Sequence, residues 1–148
     1  MNSDLSRFIE AQQHTHASVL AELRLGKKTG HWMWFTFPQL RGLGHSQTSI
    51  YYGISDICEA ESYSKHPILG PRLIECVIAV LNISGATAHE IFGHPDELKF
   101  ISSMTLFGSV AAASEVFHEA LLRFNGGDMD AETIRLIGRQ ETANMIPK

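Results

Sequence analysis

Apolar residues recur three and four positions apart along almost the whole chain, and this period predicts helices. Leu5, Phe8, Ile9 and Gln12 follow Asp4 as a short first helix. Thr15 is placed to cap a second, with Val19, Leu20 and Leu23 on one face and Gly26 closing it. Ser46 caps a third through Ile50, Tyr51 and Ile54, and Ser55 opens a fourth that stops near His66-Pro67. Pro71 fits the first turn of a long buried helix through Leu73, Ile74, Val77, Ile78 and Leu81. Ala86 to Phe92 reads as a short helix ending at Gly93, and Pro95 opens another through Leu98, Ile101 and Met104 toward Val110. Glu115 to Phe124 is stopped by Gly126-Gly127, and Asp130 caps a last helix that Gly138 ends.

Only Trp32 to Phe37 is ambiguous. Its alternation and aromatic content suit a strand, but Pro38 stops it and no partner strand follows. A lone strand leaves its backbone unpaired, so a short helical or irregular piece is expected. With no repeat, linker or low-complexity tract, residues 1–148 read as one all-α domain of about seven to nine helices.

Charge and cysteine content narrow the function classes. A net charge of −4 argues against a broad basic surface for duplex nucleic acid, although Lys27, Lys28, Arg41 and Arg72 leave room for a local basic pocket. Two cysteines, Cys58 and Cys76, are too few for a disulfide scaffold or a four-cysteine zinc site and read as reduced core thiols. Leu5 to Leu25 is interrupted by polar residues throughout, so it is neither a signal peptide nor a membrane span. A cytoplasmic monomer is expected, with no membrane association.

Candidate chemistry begins at His31-Trp32-Met33-Trp34-Phe35, which holds both tryptophans. One ring at least belongs in the core, while the other can form a wall on which a base stacks. Gly42-Leu43-Gly44-His45-Ser46 follows as a tight turn into a helix start. It lacks the endings of a Walker loop or a dinucleotide fingerprint. It is either a capped turn or an anion site helped by Arg41 or His45.

The helix from Asp96 to Phe107 is polar where a buried helix is usually not. Asp96, Lys99 and Ser103 share a stripe. Ser102, Ser103 and Thr105 lie among bulky apolar residues, so their hydroxyls must bond back to the helix or face a polar pocket. Asp96 and Lys99 form either an exposed ion pair or a carboxylate with its counter-charge in that pocket. The histidines are poorly spaced for metal: His89 and His94 are five apart and separated by Gly93. No metal or cofactor is expected.

The motifs His31-Trp32-Met33-Trp34-Phe35, Pro38-Gln39-Leu40-Arg41-Gly42-Leu43-Gly44 and Ser46 resemble the bacterial 1810 family of domains of unknown function. Tyr52, Glu59-Ala60, His66-Pro67, Leu69-Gly70, Arg72-Leu73, Ile91-Phe92-Gly93, Pro95-Asp96, Leu98-Lys99 and Ser102 to Phe107 continue the resemblance, as do Phe124 to Gly127. It covers roughly Leu5 to Leu136. Asn125 departs from it where a second aromatic is usual, and Thr48 to Gly53 is looser. The resemblance implies an all-helical single domain and no known activity. Some members carry the label calpastatin, which a folded-domain composition does not fit. In layout and polar helix positions the pattern is also distantly similar to the NADAR proteins, small helical proteins linked to ADP-ribose and related N-glycosides.

That second resemblance implies cleavage of an N-glycosidic bond in an ADP-ribose-like or nucleotide-like molecule. A carboxylate there stabilises an oxocarbenium-like state that water attacks. Asp96 is the expected carboxylate, with Glu59 the alternative. Trp32 or Trp34 would stack on the base. Arg41, Lys99, Gly42, Gly44 and Ser46 would hold phosphate, and Gln39, Tyr52, Ser102, Ser103 and Thr105 would orient the sugar. A non-catalytic module that binds a nucleotide or a protein partner accounts for the same residues without turnover.

Overall fold

The apolar period holds nearly everywhere in the computed structural model, which describes residues 4–145. The ten helices among these are α1 (Ser6–Gln13), α2 (His16–Arg24), α3 (Met33–Thr36), α4 (Gln47–Tyr52), α5 (Ile57–Lys65), α6 (Leu69–Leu81), α7 (Ala88–Phe92), α8 (Asp96–Gly108), α9 (Val116–Asn125) and α10 (Ala131–Met145). The ambiguous Trp32 to Phe37 segment supplies the tenth, as the single turn α3. Phe37 then leaves the helical region, with φ −122° and ψ 75°, consistent with the bias that a following proline imposes.

Several helix ends differ from the expectation. Thr15 does not cap α2; its hydroxyl donates to Ala11 O at 2.8 Å instead. Asp56, rather than Ser55, caps α5 through the Glu59 N–H. Thr87 and Glu90 form a reciprocal capping box that starts α7. α8 ends at Gly108, before Val110. Gly138 lies inside α10 rather than ending it, because it sits in open space with an ordinary helical backbone. By contrast, Gly126 does stop α9, in the left-handed conformation that favours glycine.

The core is built around α8 and α6. α8 packs against α9, α7, α5, α10 and α3, while α6 packs against α2, α5 and α9. Two aromatic groups fill the interior: Phe37, Phe92, Phe100 and Phe124 around one part of α8, and Phe8, Tyr63, Phe107 and Phe117 around the other. Phe37 and Phe100 meet edge to face at 5.1 Å, which seats α3 on α8. Cys76 joins this core, but Cys58 is exposed, so only one of the two is a core thiol; both are free. α6 begins directly against the end of α5, where a Cβ on Gly70 would lie 2.2 Å from Ser64 O.

The one β feature among the described residues is a parallel bridge between Leu40 and Ile54. Ile54 N–H donates to Gln39 O, and Arg41 N–H donates to Ile54 O. This bridge closes the chain excursion that carries α4.

Candidate functional site

The first turn of α8 brings Asp96 and Lys99 together with a loop from far away in the chain. Lys28 Nζ lies 2.9 Å from Asp96 Oδ2, and Lys99 Nζ lies 3.1 Å from Asp96 Oδ1. One carboxylate thus serves two ammonium groups, one on each oxygen. The side chains are only 9% (Lys28), 18% (Asp96) and 19% (Lys99) exposed. Both lysines also lie over indole rings: Lys99 at 3.7 Å from the Trp34 centroid and Lys28 at 5.4 Å from that of Trp32.

The loop holding Lys28 is pinned from two sides. Glu22 on α2 accepts the N–H groups of Thr29 and Gly30 and the Trp32 indole N–H. Burial pushes the Glu22 carboxyl up, but these donors outweigh it and bring its pKa from 4.5 to about 2. Lys28 N–H donates to Ile91 O at 2.8 Å, tying the loop to α7. Burial likewise raises the Asp96 carboxyl, and the two lysines reverse this, holding it below its ordinary value. Its place at the start of α8 adds the favourable end of the helix dipole.

Trp32 is buried and Trp34 half-buried, so the pair divides as expected into one core ring and one more open ring. Behind Lys99 on α8, Ser102 donates to Leu98 O and Thr105 to Ile101 O, so both hydroxyls bond back to the helix. Thr105 also accepts the Asp130 N–H, which joins α8 to the start of α10. Ser103 is fully buried, and its hydroxyl has no partner among the described residues.

The remaining sequence candidates gather elsewhere. Arg41 donates to Ile50 O and Gly53 O, closing the α4 excursion. Ser46 caps α4 through the Ser49 N–H. Gly44 is packed so closely that a Cβ there would meet the Ser49 side chain at 2.9 Å, while Gly42 adopts a positive φ of 109°. Gln39 is buried, and Tyr52 packs its half-buried ring at tilted and edge-on angles among Phe8, Phe35 and Tyr51. Glu59 accepts Arg7 Nη2 at 2.9 Å and the Ser55 N–H at 3.0 Å. No hydrogen bond or ion pair among the described residues links any of these side chains to Asp96.

Lys28 and Glu22 were not singled out by the sequence as site residues, beyond Lys28 being one of the four side chains, with Lys27, Arg41 and Arg72, named for a local basic pocket. No motif spacing connects Lys28 to Asp96; the contact exists only once α8 meets the loop before α3. A separate apolar groove of about 920 Å³ runs between the end of α2 and one face of α6, floored by Leu23, Ile74, Ile78, Ala79 and Ile83, and none of the lysine-cluster residues lines it. Among the described residues no group of three His, Cys, Asp or Glu side chains is placed to hold a metal ion, and no helix is long and apolar enough to cross a membrane.

A family model described as a protein of unknown function, DUF1810, matches residues 2–137. The chain belongs to the DUF1810 family. This DUF1810 chain is also similar to a solved structure, that of the conserved hypothetical protein Rv1873 from Mycobacterium tuberculosis. The two are 50% identical, with a TM-score of 0.90, and the match covers 91% of this chain and 96% of that one. No curated protein matches it. Asp96, Lys99, Trp34 and Lys28 all fall inside the residues matched by the DUF1810 model.

Proposed function

We propose that this protein binds a small anionic molecule carrying a planar ring, of the nucleotide class, at Trp34, Lys99, Asp96 and Lys28. The observation that carries this reading is a surplus of charge. Two largely buried ammonium groups share the single carboxylate of Asp96, so one positive charge beside an indole face has no carboxylate of its own among the described residues. Removing a charge from water is costly unless it is matched, and a packing role alone would be filled as well by apolar side chains. An anion supplies the match, and the half-buried Trp34 supplies a face for its ring. The partners that Arg41, Ser46 and Glu59 already have within the fold leave them outside this site.

A second reading is hydrolysis of an N-glycosidic bond in an ADP-ribose-like or nucleotide-like substrate. The lysine pair favours it in one respect. It keeps Asp96 ionised, the form needed to stabilise a developing oxocarbenium ion.

A thermal-shift screen against NAD, ADP-ribose, nucleosides and nucleotides, with product analysis of every hit, tests both. A ligand at about 100 times its Kd adds about 2.7 kcal/mol and shifts Tm by several degrees. A shift that Trp34→Leu abolishes supports binding at this site, and accumulation of free base supports hydrolysis. No shift with any of them removes the nucleotide reading.

A further inference from the structure

The two lysines that share Asp96 are not equivalent, and the difference bears on what the site admits. Lys28 is the more deeply buried, and its backbone is tied to Ile91 O while its loop is pinned by Glu22. Lys99 is twice as exposed, and its ammonium has two contacts, Asp96 Oδ1 and the face of Trp34. At 3.7 Å from the centroid, the ammonium occupies the place that a stacked ring would take on that face.

We infer that Lys99 is a specificity-determining residue, which covers Trp34 in the free protein and yields it only to a ring that brings its own anion. This rests on the nucleotide-binding reading above and adds the class it admits: phosphorylated nucleotides rather than nucleosides or free bases. A ring entering alone displaces the ammonium from the indole and gives it nothing in return. A ring joined to a phosphate offers the displaced ammonium a new, stronger partner. Asp96 tolerates the exchange, because Lys28 stays on its other oxygen at 2.9 Å and keeps the carboxylate paired.

The test is equilibrium binding, read by tryptophan fluorescence and calorimetry, of ribonucleosides and their monophosphates to wild type, Lys99→Ala, Lys99→Arg and Trp34→Leu. Wild type should prefer the monophosphate of its cognate base by at least about tenfold, the size of a desolvated cation–π contact. In Lys99→Ala the nucleoside should bind more tightly than to wild type and the monophosphate more weakly, so the preference collapses. Lys99→Arg should keep it. The inference is overturned if wild type binds nucleoside and monophosphate equally while Trp34→Leu abolishes both, an outcome in which the binding site itself stands. It is equally overturned if Lys99→Ala weakens both ligands by the same factor, which marks Lys99 as a plain attractive contact. Absence of binding by any of these to wild type overturns the underlying site together with the inference.

Discussion

The indole N–H of Trp32 donates to Glu22 Oε1 at 3.0 Å, and that same oxygen takes the backbone N–H groups of Thr29 and Gly30. One carboxylate oxygen thereby organises the turn that delivers Lys28 to Asp96. Because these donors favour the ionised form, Glu22 has its pKa lowered from 4.5 to about 2 on folding. A depressed carboxylate stabilises the fold above its unfolded pKa and loses that contribution as pH falls through the folded value. Glu22→Gln should therefore lower Tm near neutrality, and the gap to wild type should close between about pH 5 and pH 2. Melting curves across that range check this; a gap that stays constant with pH would remove the ionised carboxylate as its cause.

Asp96→Asn separates binding from catalysis. It leaves two ammonium groups without a carboxylate, at a cost of about 1–3 kcal/mol in a partly exposed site. With the competing negative charge gone, a purely binding site should hold a nucleotide monophosphate as tightly as wild type or more so. A hydrolytic site should retain binding and lose turnover by orders of magnitude. Calorimetric titration alongside chromatographic product analysis distinguishes the two.

Gly70 and Gly138 should respond in opposite directions to alanine. At Gly70 the added Cβ would meet the Ser64 carbonyl oxygen at 2.2 Å, and this backbone atom can move only by parting α5 from α6. Urea denaturation should show a loss of about 3 kcal/mol or more. At Gly138 nothing lies within 4 Å, and the residue is inside α10. Alanine there should raise stability by about 0.5–1 kcal/mol, through helix propensity and a less flexible unfolded chain.

The two thiols should react unequally. Cys58 is exposed, while burial pushes the Cys76 thiol up to about 12, with Glu75 adding to the effect. Native protein should be labelled rapidly at Cys58 by a thiol-specific reagent and at Cys76 only on unfolding. Mass spectrometry of timed samples reads this directly.

Local chemistry accounts for what was legible from the residues. Ser46 caps α4 and Gly126 stops α9 because those signals act within one turn of the chain. Thr87-Ala88-His89-Glu90 carries the capping-box pattern as well, a local signal that the reading of this helix from Ala86 passed over. Gly138 misled because glycine ends a helix only where the backbone turns left-handed, and here the backbone keeps its ordinary helical conformation. For the hydroxyls of α8, sequence posed a choice between back-bonding and a pocket. Ser102 and Thr105 take the first option, whereas Ser103 has no partner among the described residues. The Asp96–Lys99 pair was visible at helical spacing, but its third member was not. Lys28 arrives through tertiary packing of a loop whose position depends on Glu22 and Ile91, and no local pattern encodes that meeting.

The bridge between Leu40 and Ile54 has a bearing on how this architecture can vary. Both residues are buried, whereas most of the chain from Arg41 to Ile50 is exposed, and Arg41 fastens the return at Ile50 and Gly53. The excursion is closed at its neck, so a change of length or sequence near its tip would leave the ends where they are. Amide exchange in this segment should be faster than in α6 or α8, as expected of a unit that opens locally. The latitude lies at the exposed tip around His45 to Thr48, since Ser49 is buried and Arg41 holds Ile50 and Gly53, and a change there leaves the lysine-paired carboxylate untouched.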